Sequence, residues 1–461
     1  METDGRTGNG VRFRIVTELD AAEAVRAVLP GVREALEGLI RIPSISADPG
    51  AAADVRRTAE VTAELFRAEG ATGVEILEVE GGKPAVVAHF PAPEGQPTVL
   101  LYAHHDVQPT GDPAQWTSPP FEPTERDGRL YGRGAADDKV GIALHLGAIR
   151  AYQGRPPVGV TIFVEGEEEI GSPALGTFLE RYRDQLAADV IVLADAANFD
   201  VGVPALTTTL RGLADCVVEV RALDHGVHSG VYGGAAPDAL TALCRLLASL
   251  HDEAGNVAIE GLGRAPAPTV DYPEERFRAE ASVLDGVQLL GTGTISERIW
   301  SAPTATVLAI DTTRVADASN TLIPVARAKV SVRVAPGDDA SKALDALMEH
   351  LRSHAPWGVQ VAVTPGDVGQ PYTANAEGPV YDAAREAFAQ VWGRESVDVG
   401  IGGSIPFIAE FADTFPAAAI LVTGAADPHS RAHGTDESLH LGDFEKACVA
   451  ETLLLAKLAN R

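Results

Sequence analysis

Short apolar runs separated by longer amphipathic stretches dominate the first part of the chain. "AVVAHF" (85–90), "TVLLYAH" (98–104), "GVTIFVE" (159–165), "VIVLAD" (190–195) and, far downstream, "AAAILVTG" (417–424) are too short for helices, and they predict buried strands. Around and between them, 20–41, 53–71 and "KVGIALHLGAIRAY" (139–152) place apolar residues three and four apart, which predicts helices. Strand alternating with helix is the pattern of βαβ units, so the expectation is an α/β fold with a mostly parallel sheet and flanking helices.

The pattern changes after "TTTLRG" (207–212). From there the chain reads as strand "ADCVVEVRA", helix "PDALTALCRLLASLHDE", an irregular Pro-rich stretch, strands "ATVLAIDT" and "RAKVSVRVA", helix "SKALDALMEHLRSH" and strand "VQVAVTP". That order resembles a split βαβ, ferredoxin-like α+β sandwich of about four antiparallel strands backed by two helices. The α/β pattern then resumes. The expected organisation is a first domain over 1–210 and 372–461, with 211–371 inserted into it.

At 461 residues the chain exceeds what one hydrophobic core usually supports, in keeping with two domains. Acidic residues outnumber basic ones 65 to 37, and the formal charge of -28 argues against nucleic acid or an anionic membrane as partner. Bound divalent cations would offset part of it. No apolar window reaches the length of a membrane span. The opening "METDGRTGNG" lacks the apolar stretch of a signal peptide, which leads us to expect a short disordered leader and a cytoplasmic protein. Cys216, Cys244 and Cys448 are scattered, as reduced thiols would be.

Chemistry gathers where the α/β strands end, the edge at which open α/β sheets bind ligands. "TVLLYAH" runs into His104, His105 and Asp106; "GVTIFVE" into Glu167, Glu168 and Glu169; "VIVLAD" ends on Asp195; and the loop after "AAAILVTG" carries His429 and His433. Asp137, in "LYGRGAADDKVG", follows a Gly-rich turn and precedes a helix. A carboxylate at one strand end is usually a turn former or cap; five such sites on one edge predict metal binding. Imidazole and carboxylate without thiolate suit zinc, with manganese and cobalt as relatives, and the groups outnumber what one ion can use. In the H-x-D of 104–106 alternate side chains point the same way, so Asp106 can orient His104 while His105 faces elsewhere.

These motifs resemble the dinuclear zinc family of carnosinases, cytosolic dipeptidases, acetylornithine deacetylase, succinyl-diaminopimelate desuccinylase and carboxypeptidase G. The similarity rests on "AHHDVQP", "LYGRGAADDKVG", "FVEGEEEIGS", "HSGVYGG", "SNTLIPVARAKVSVRVAP", "GGSIP" and "AHGTDE", in order along nearly the whole chain. It implies two Zn2+ per subunit, with Mn2+ or Co2+ as substitutes: Asp137 bridging, His104 and Asp195 completing one position, Glu169 and His433 the other. It implies Glu168 as general base toward a water shared by the two ions, with Asp106 assisting. It assigns His228 to the oxyanion, reached across a homodimer formed by the inserted lid and dimerisation domain. Asn320, Arg333, Gly403 and Ser404 become substrate-binding residues, Arg333 suiting a terminal carboxylate through its planar fork.

This sequence departs from the family pattern at Ala103 and Val140, where relatives often carry Gly, and at Asp436, where Asn is usual. Spacing to Glu437 favours His433 over His429 as the last ligand, and His440 reads as a structural histidine. The expected activity is hydrolysis of the amide bond of dipeptides, closest to the dipeptidase branch. The alternatives are an N-acyl amino-acid deacylase of the deacetylase or desuccinylase type, and a non-catalytic binding protein, against which a glutamate beside the metals argues.

Overall fold

Strands Thr98–His104 and Gly159–Glu165 are buried almost end to end, as their unbroken apolar sequences require of strands covered on both faces. The computed structural model describes residues 18–403 and 406–460; the leader expected over 1–10, and Ser404, lie outside the described residues. The described residues form two compact units, one running to Ala205 and including Ala376–Ser396 and the chain from Thr414, the other Leu206–Asn375 with Val397–Asp413.

The first unit is built on a six-stranded sheet in the order Thr72–Leu77, Ala85–Phe90, Gly159–Glu165, Thr98–His104, Val190–Leu193, Ala419–Val422. The last three pairings are parallel and the first two antiparallel, so the expected parallel sheet carries an antiparallel flank. The short link between 77 and 85 accounts for one of these, since a parallel partner needs a long crossover. Helix Lys139–Ala151 packs on strand Thr98–His104 and against helices Glu18–Ile40 and Leu441–Leu458. Its approach to the strand depends on Gly141, where a Cβ would come within 2.9 Å of the Ala103 methyl. Ala103 is thus accommodated because Gly141 has no side chain.

The second unit holds a four-stranded antiparallel sheet in the order Thr304–Asp311, Val325–Val334, Gly212–Arg221, Gln360–Gly369. Helices Ala239–Ala248 and Ala340–Ser353 pack on it. Ala214, Cys216, Val218 and Val220 from one strand, and Ala326, Ala328, Val330, Val332 and Val334 from the next, build the core with those helices. The alternate residues therefore face away from the helices. Segment 397–413, assigned by sequence to the first domain, groups with the second unit instead. Its strand Val397–Ile401 joins Ala205–Leu210 and Tyr372–Thr373 in a three-stranded sheet, a non-local pairing that periodicity does not encode. Among the described residues no helix is long and apolar enough to cross a membrane.

Candidate metal centre

Because strands Thr98–His104, Gly159–Glu165 and Val190–Leu193 are parallel neighbours, the residues at their carboxyl ends meet on one edge. His104 closes its strand, Glu168 and Glu169 sit in a short turn after Glu165, and Asp195 follows Leu193 by two residues. Asp137 is brought in by the loop before helix Lys139–Ala151. The carboxylate of Asp138 caps that helix by accepting from Gly141 N–H, and it also accepts from His104 N–H at 3.3 Å, tying the helix start to the strand end. Lys139, fully buried, donates to the carbonyls of Leu39 and Ile42 at 2.8 and 2.7 Å and so anchors this turn to the end of helix Glu18–Ile40.

The ligand-type atoms form two overlapping groups, His104 with Glu168 and Asp195, and His104 with Asp137 and Glu169, each within 4.8 Å. His104 Nε2 lies 3.1 Å from Asp137 Oδ1, 3.8 Å from Glu168 Oε2 and 3.9 Å from Asp195 Oδ1. His433 Nε2 lies 3.0 Å from both Asp137 Oδ2 and Glu169 Oε2. Asp137 thus stands between the two imidazoles with one oxygen toward each. On its other side His104 turns Nδ1 to Asp106, 3.1 Å from the carbonyl and 3.3 Å from Oδ1, an arrangement that leaves Nε2 directed at the carboxylates. The Asp106 carboxylate also accepts from Glu168 N–H and Glu169 N–H, fixing the turn that presents both glutamates.

The electrostatics of this cluster are those of a site short of positive charge. Burial, together with the charges of Asp137, Glu169 and Asp106, pushes Glu168 up to about 7. Burial and its acidic neighbours hold Asp195 well above the usual carboxylate range. Hydrogen bonds to Asp137 and Glu169 push His433 up to about 10. Burial would depress His104, but its bonds to Asp106 and Asp137 and the charges of Asp195 and Glu168 outweigh that and raise it. Oxygen and imidazole donors without thiolate, with carboxylates in excess, fit zinc or manganese.

His105 and His429 stand apart. The His105 ring is buried at Pro84 O, 2.9 Å away, and burial drops its pKa to about 4, as a neutral packing residue. His429 donates its N–H to Asp427, and His440 caps the final helix by accepting from Asp443 N–H. Asp436 accepts from the N–H and hydroxyl of Thr117.

Sequence reasoning missed Arg133 and Glu437 as partners. They form a buried ion pair at 2.6 Å, and Glu437 accepts in addition from the N–H groups of Gly134, Ala136 and Asp137. Removing one member of such a buried pair costs about 3–5 kcal/mol. Both residues stood inside recognised motifs, but only the fold shows that they meet.

In the second unit, His228 and Asn320 are exposed and adjacent: Val227–His228 pairs with Thr321–Leu322, and Ser229 N–H donates to Asn320 O. His228 Nδ1 accepts from Gly230 N–H. Arg333 is half-buried, opposite Leu213 on one side and Thr304 on the other, on the helix-free face of the sheet. Beside it lies Arg211, also missed, whose guanidinium is buried and donates to the neutral oxygens Gly402 O, Ala302 O and Thr304 Oγ1. Burial and the Arg333 charge lower Arg211 to about 10. Gly403 follows the glycine that Arg211 holds. The signal for Arg211 was its place two residues before Leu213, at the head of a strand; its significance depends on Arg333 arriving from a distant strand.

The family model of peptidase family M20/M25/M40 matches residues 100–457. The cysteinylglycine-S-conjugate dipeptidase of Corynebacterium striatum is 40% identical over 366 residues, covering 78% of this chain and 80% of that protein. The Beta-Ala-His dipeptidase of Rattus norvegicus is 31% identical over 402 residues, covering 81% and 80%. Among solved structures, human carnosine dipeptidase 1 matches with a TM-score of 0.80 at 23% identity over 96% of this chain and 99% of its own. The di-peptidase Dug1p of Saccharomyces cerevisiae matches at 0.79 and 20% identity over 97% and 100%. At these identities the structural likeness is one of fold.

Proposed function

The chain belongs to peptidase family M20/M25/M40, and from that premise we propose that it is a metal-dependent dipeptidase hydrolysing the amide bond of free dipeptides. The observation that carries the reading is the convergence of His104, Asp137, Glu168, Glu169, Asp195 and His433, with Asp137 facing both imidazoles. His104 and Asp195 would hold one divalent ion, Glu169 and His433 a second, and Asp137 both. Zinc, manganese or cobalt bound there would supply Lewis acidity toward the scissile carbonyl and acidify water. Glu168 takes the proton of the attacking water and delivers it to the leaving amine as the C–N bond breaks, the double role of a general acid/base. Asp106 keeps His104 in the tautomer that presents Nε2. His228, offered by the second copy in a homodimer, would donate to the oxyanion, while Arg333, with Asn320, Gly403 and Ser404, would receive the substrate.

The test is a panel of free dipeptides, including Cys-Gly, S-alkylated Cys-Gly and β-Ala-His, set beside N-acetyl and N-succinyl amino acids. Protein loaded with zinc or manganese should cleave the dipeptides. Faster cleavage of the acyl amino acids would replace the dipeptidase reading with the deacylase one.

A homodimer through the second unit is part of the same proposal. Strand Thr304–Asp311 is a sheet edge, and it exposes Leu308 and Ile310. An exposed apolar edge is a template for pairing with another chain. Sedimentation should show a dimer, converted to monomer by Leu308→Lys with Ile310→Lys.

A further inference from the structure

The two proposed cation positions are held by unequal scaffolding. His104 ends a central strand and its ring is fully buried, whereas the His433 side chain is 58% exposed. His433 also lies outside any helix or strand, at φ 63°, with Arg431 and Asp436 at φ 54° and 58°. Three non-glycine residues in the left-handed region within one short loop need restraint from outside it. Thr117 restrains Asp436, and Arg133 supplies the restraint at His433. One arm of its guanidinium bonds Glu437; the other donates to His433 O at 3.2 Å, Gly434 O at 3.1 Å and Pro109 O at 3.1 Å. Trp116, itself buried, covers the guanidinium with its ring centroid 5.4 Å from Cζ. Glu437 in turn holds the backbone of Asp137. The ion pair therefore ties the loop that carries His433 to the loop that carries Asp137, while touching neither ligand side chain.

We propose that Arg133, clamped by Glu437, is a positioning residue for the cation position formed by Asp137, Glu169 and His433, and that loosening it weakens this position selectively. Asp137 serves both positions, but the other one is completed by His104 and Asp195 at the ends of sheet strands, whereas this one is completed by His433, whose loop the clamp holds. The inference rests on the two-cation reading above. Partners that orient ligands in this way are typically worth about 10–100-fold in metal affinity.

The experiment compares the full-length wild-type chain with Arg133→Lys, which keeps the charge but loses the fork, and with the double variant Arg133→Met/Glu437→Gln, which removes both charges together. Equilibrium dialysis against graded zinc buffers with elemental analysis reads the two affinities, and Co2+ absorption reports the ligand field at each position. Circular dichroism and thermal melts establish that the variants are folded. Wild type should bind two cations per chain; a folded variant should bind one as tightly as wild type and the second about 10–100-fold more weakly. A folded variant that binds both cations with wild-type affinity, or weakens both equally, overturns the proposal. A wild-type chain that takes up fewer than two cations overturns the two-cation reading and this inference with it. If Arg133→Lys does not fold, the double variant carries the same comparison.

Discussion

The strand-end cluster of the first unit and the guanidinium pair of the second are mirror images in charge. Around Asp137 the carboxylates of Asp106, Glu168, Glu169 and Asp195 gather with His104 and His433 between them. In the second unit Arg211 and Arg333 lie side by side, and Arg211 donates to the uncharged oxygens of Gly402, Ala302 and Thr304. Burying like charges together is costly unless something of opposite sign completes them. Under the function proposed above, the acidic cluster would take dications, and the Arg333 fork would take the terminal carboxylate of a peptide.

If that contrast is right, damage to the two regions should separate in kinetics. The largest effect belongs to the acidic cluster. Removing metal with a chelator should abolish dipeptide hydrolysis, and zinc or manganese should restore it. Glu168→Gln should cut turnover by about 10²–10⁴-fold while elemental analysis shows unchanged metal content, and wild-type turnover would reject its role as base. Damage to the basic pair should act on binding instead. Arg333→Met should raise KM for free dipeptides roughly 10–100-fold with kcat nearly kept, and KM for dipeptide amides should hardly move. An equal loss on amides would break the assignment of that region to a carboxylate.

A third variant sharpens the contrast from within the first unit, where one buried acid carries its own counter-charge. His145 Nδ1 lies 2.9 Å from Glu451 and Nε2 3.0 Å from Tyr102 O, so both ring nitrogens donate. Burial works against this charge, but Glu451 and the Tyr102 carbonyl raise the His145 pKa. A raised folded-state pKa gives stability that is fully present below the unfolded value, near 6.5, and is lost as pH climbs through the folded value. The melting temperature of wild type should therefore exceed that of His145→Asn most at about pH 6, with the gap narrowing above pH 7 and indifferent to chelator. A gap that widens with pH would show that the imidazole is neutral in the fold.

What could be read from sequence followed from local pattern. Strands 85–90, 98–104 and 159–165 have the bounds their apolar runs predict, because burial on both faces leaves few polar interruptions. Strand direction was less legible: whether 85–90 runs with or against 159–165 depends on connections, not on period. Asp138, Arg133 and Glu437 were visible as motif letters, but what each does is a matter of backbone groups that reach it from distant loops. Arg211 gave even less warning, since its meaning arises only when Arg333 and Gly402 come beside it. Segment 397–413 groups with the second unit because its strand finds partners across a long sequence separation.

The spread of the ligand residues along the chain, from His104 to His433, has a consequence for biosynthesis. A ribosome releases His104, Asp137, Glu168, Glu169 and Asp195 long before the loop at 427–437 emerges. The nascent first unit therefore lacks both its outermost strand, Ala419–Val422, and the histidine that faces Asp137 and Glu169. On the proposed two-cation reading, full metal capture would be a late event, with a bound ion acting as a clasp on the carboxy-terminal segment. Protease nicking between residues 427 and 437 should accordingly be fast in chelator and slow in zinc.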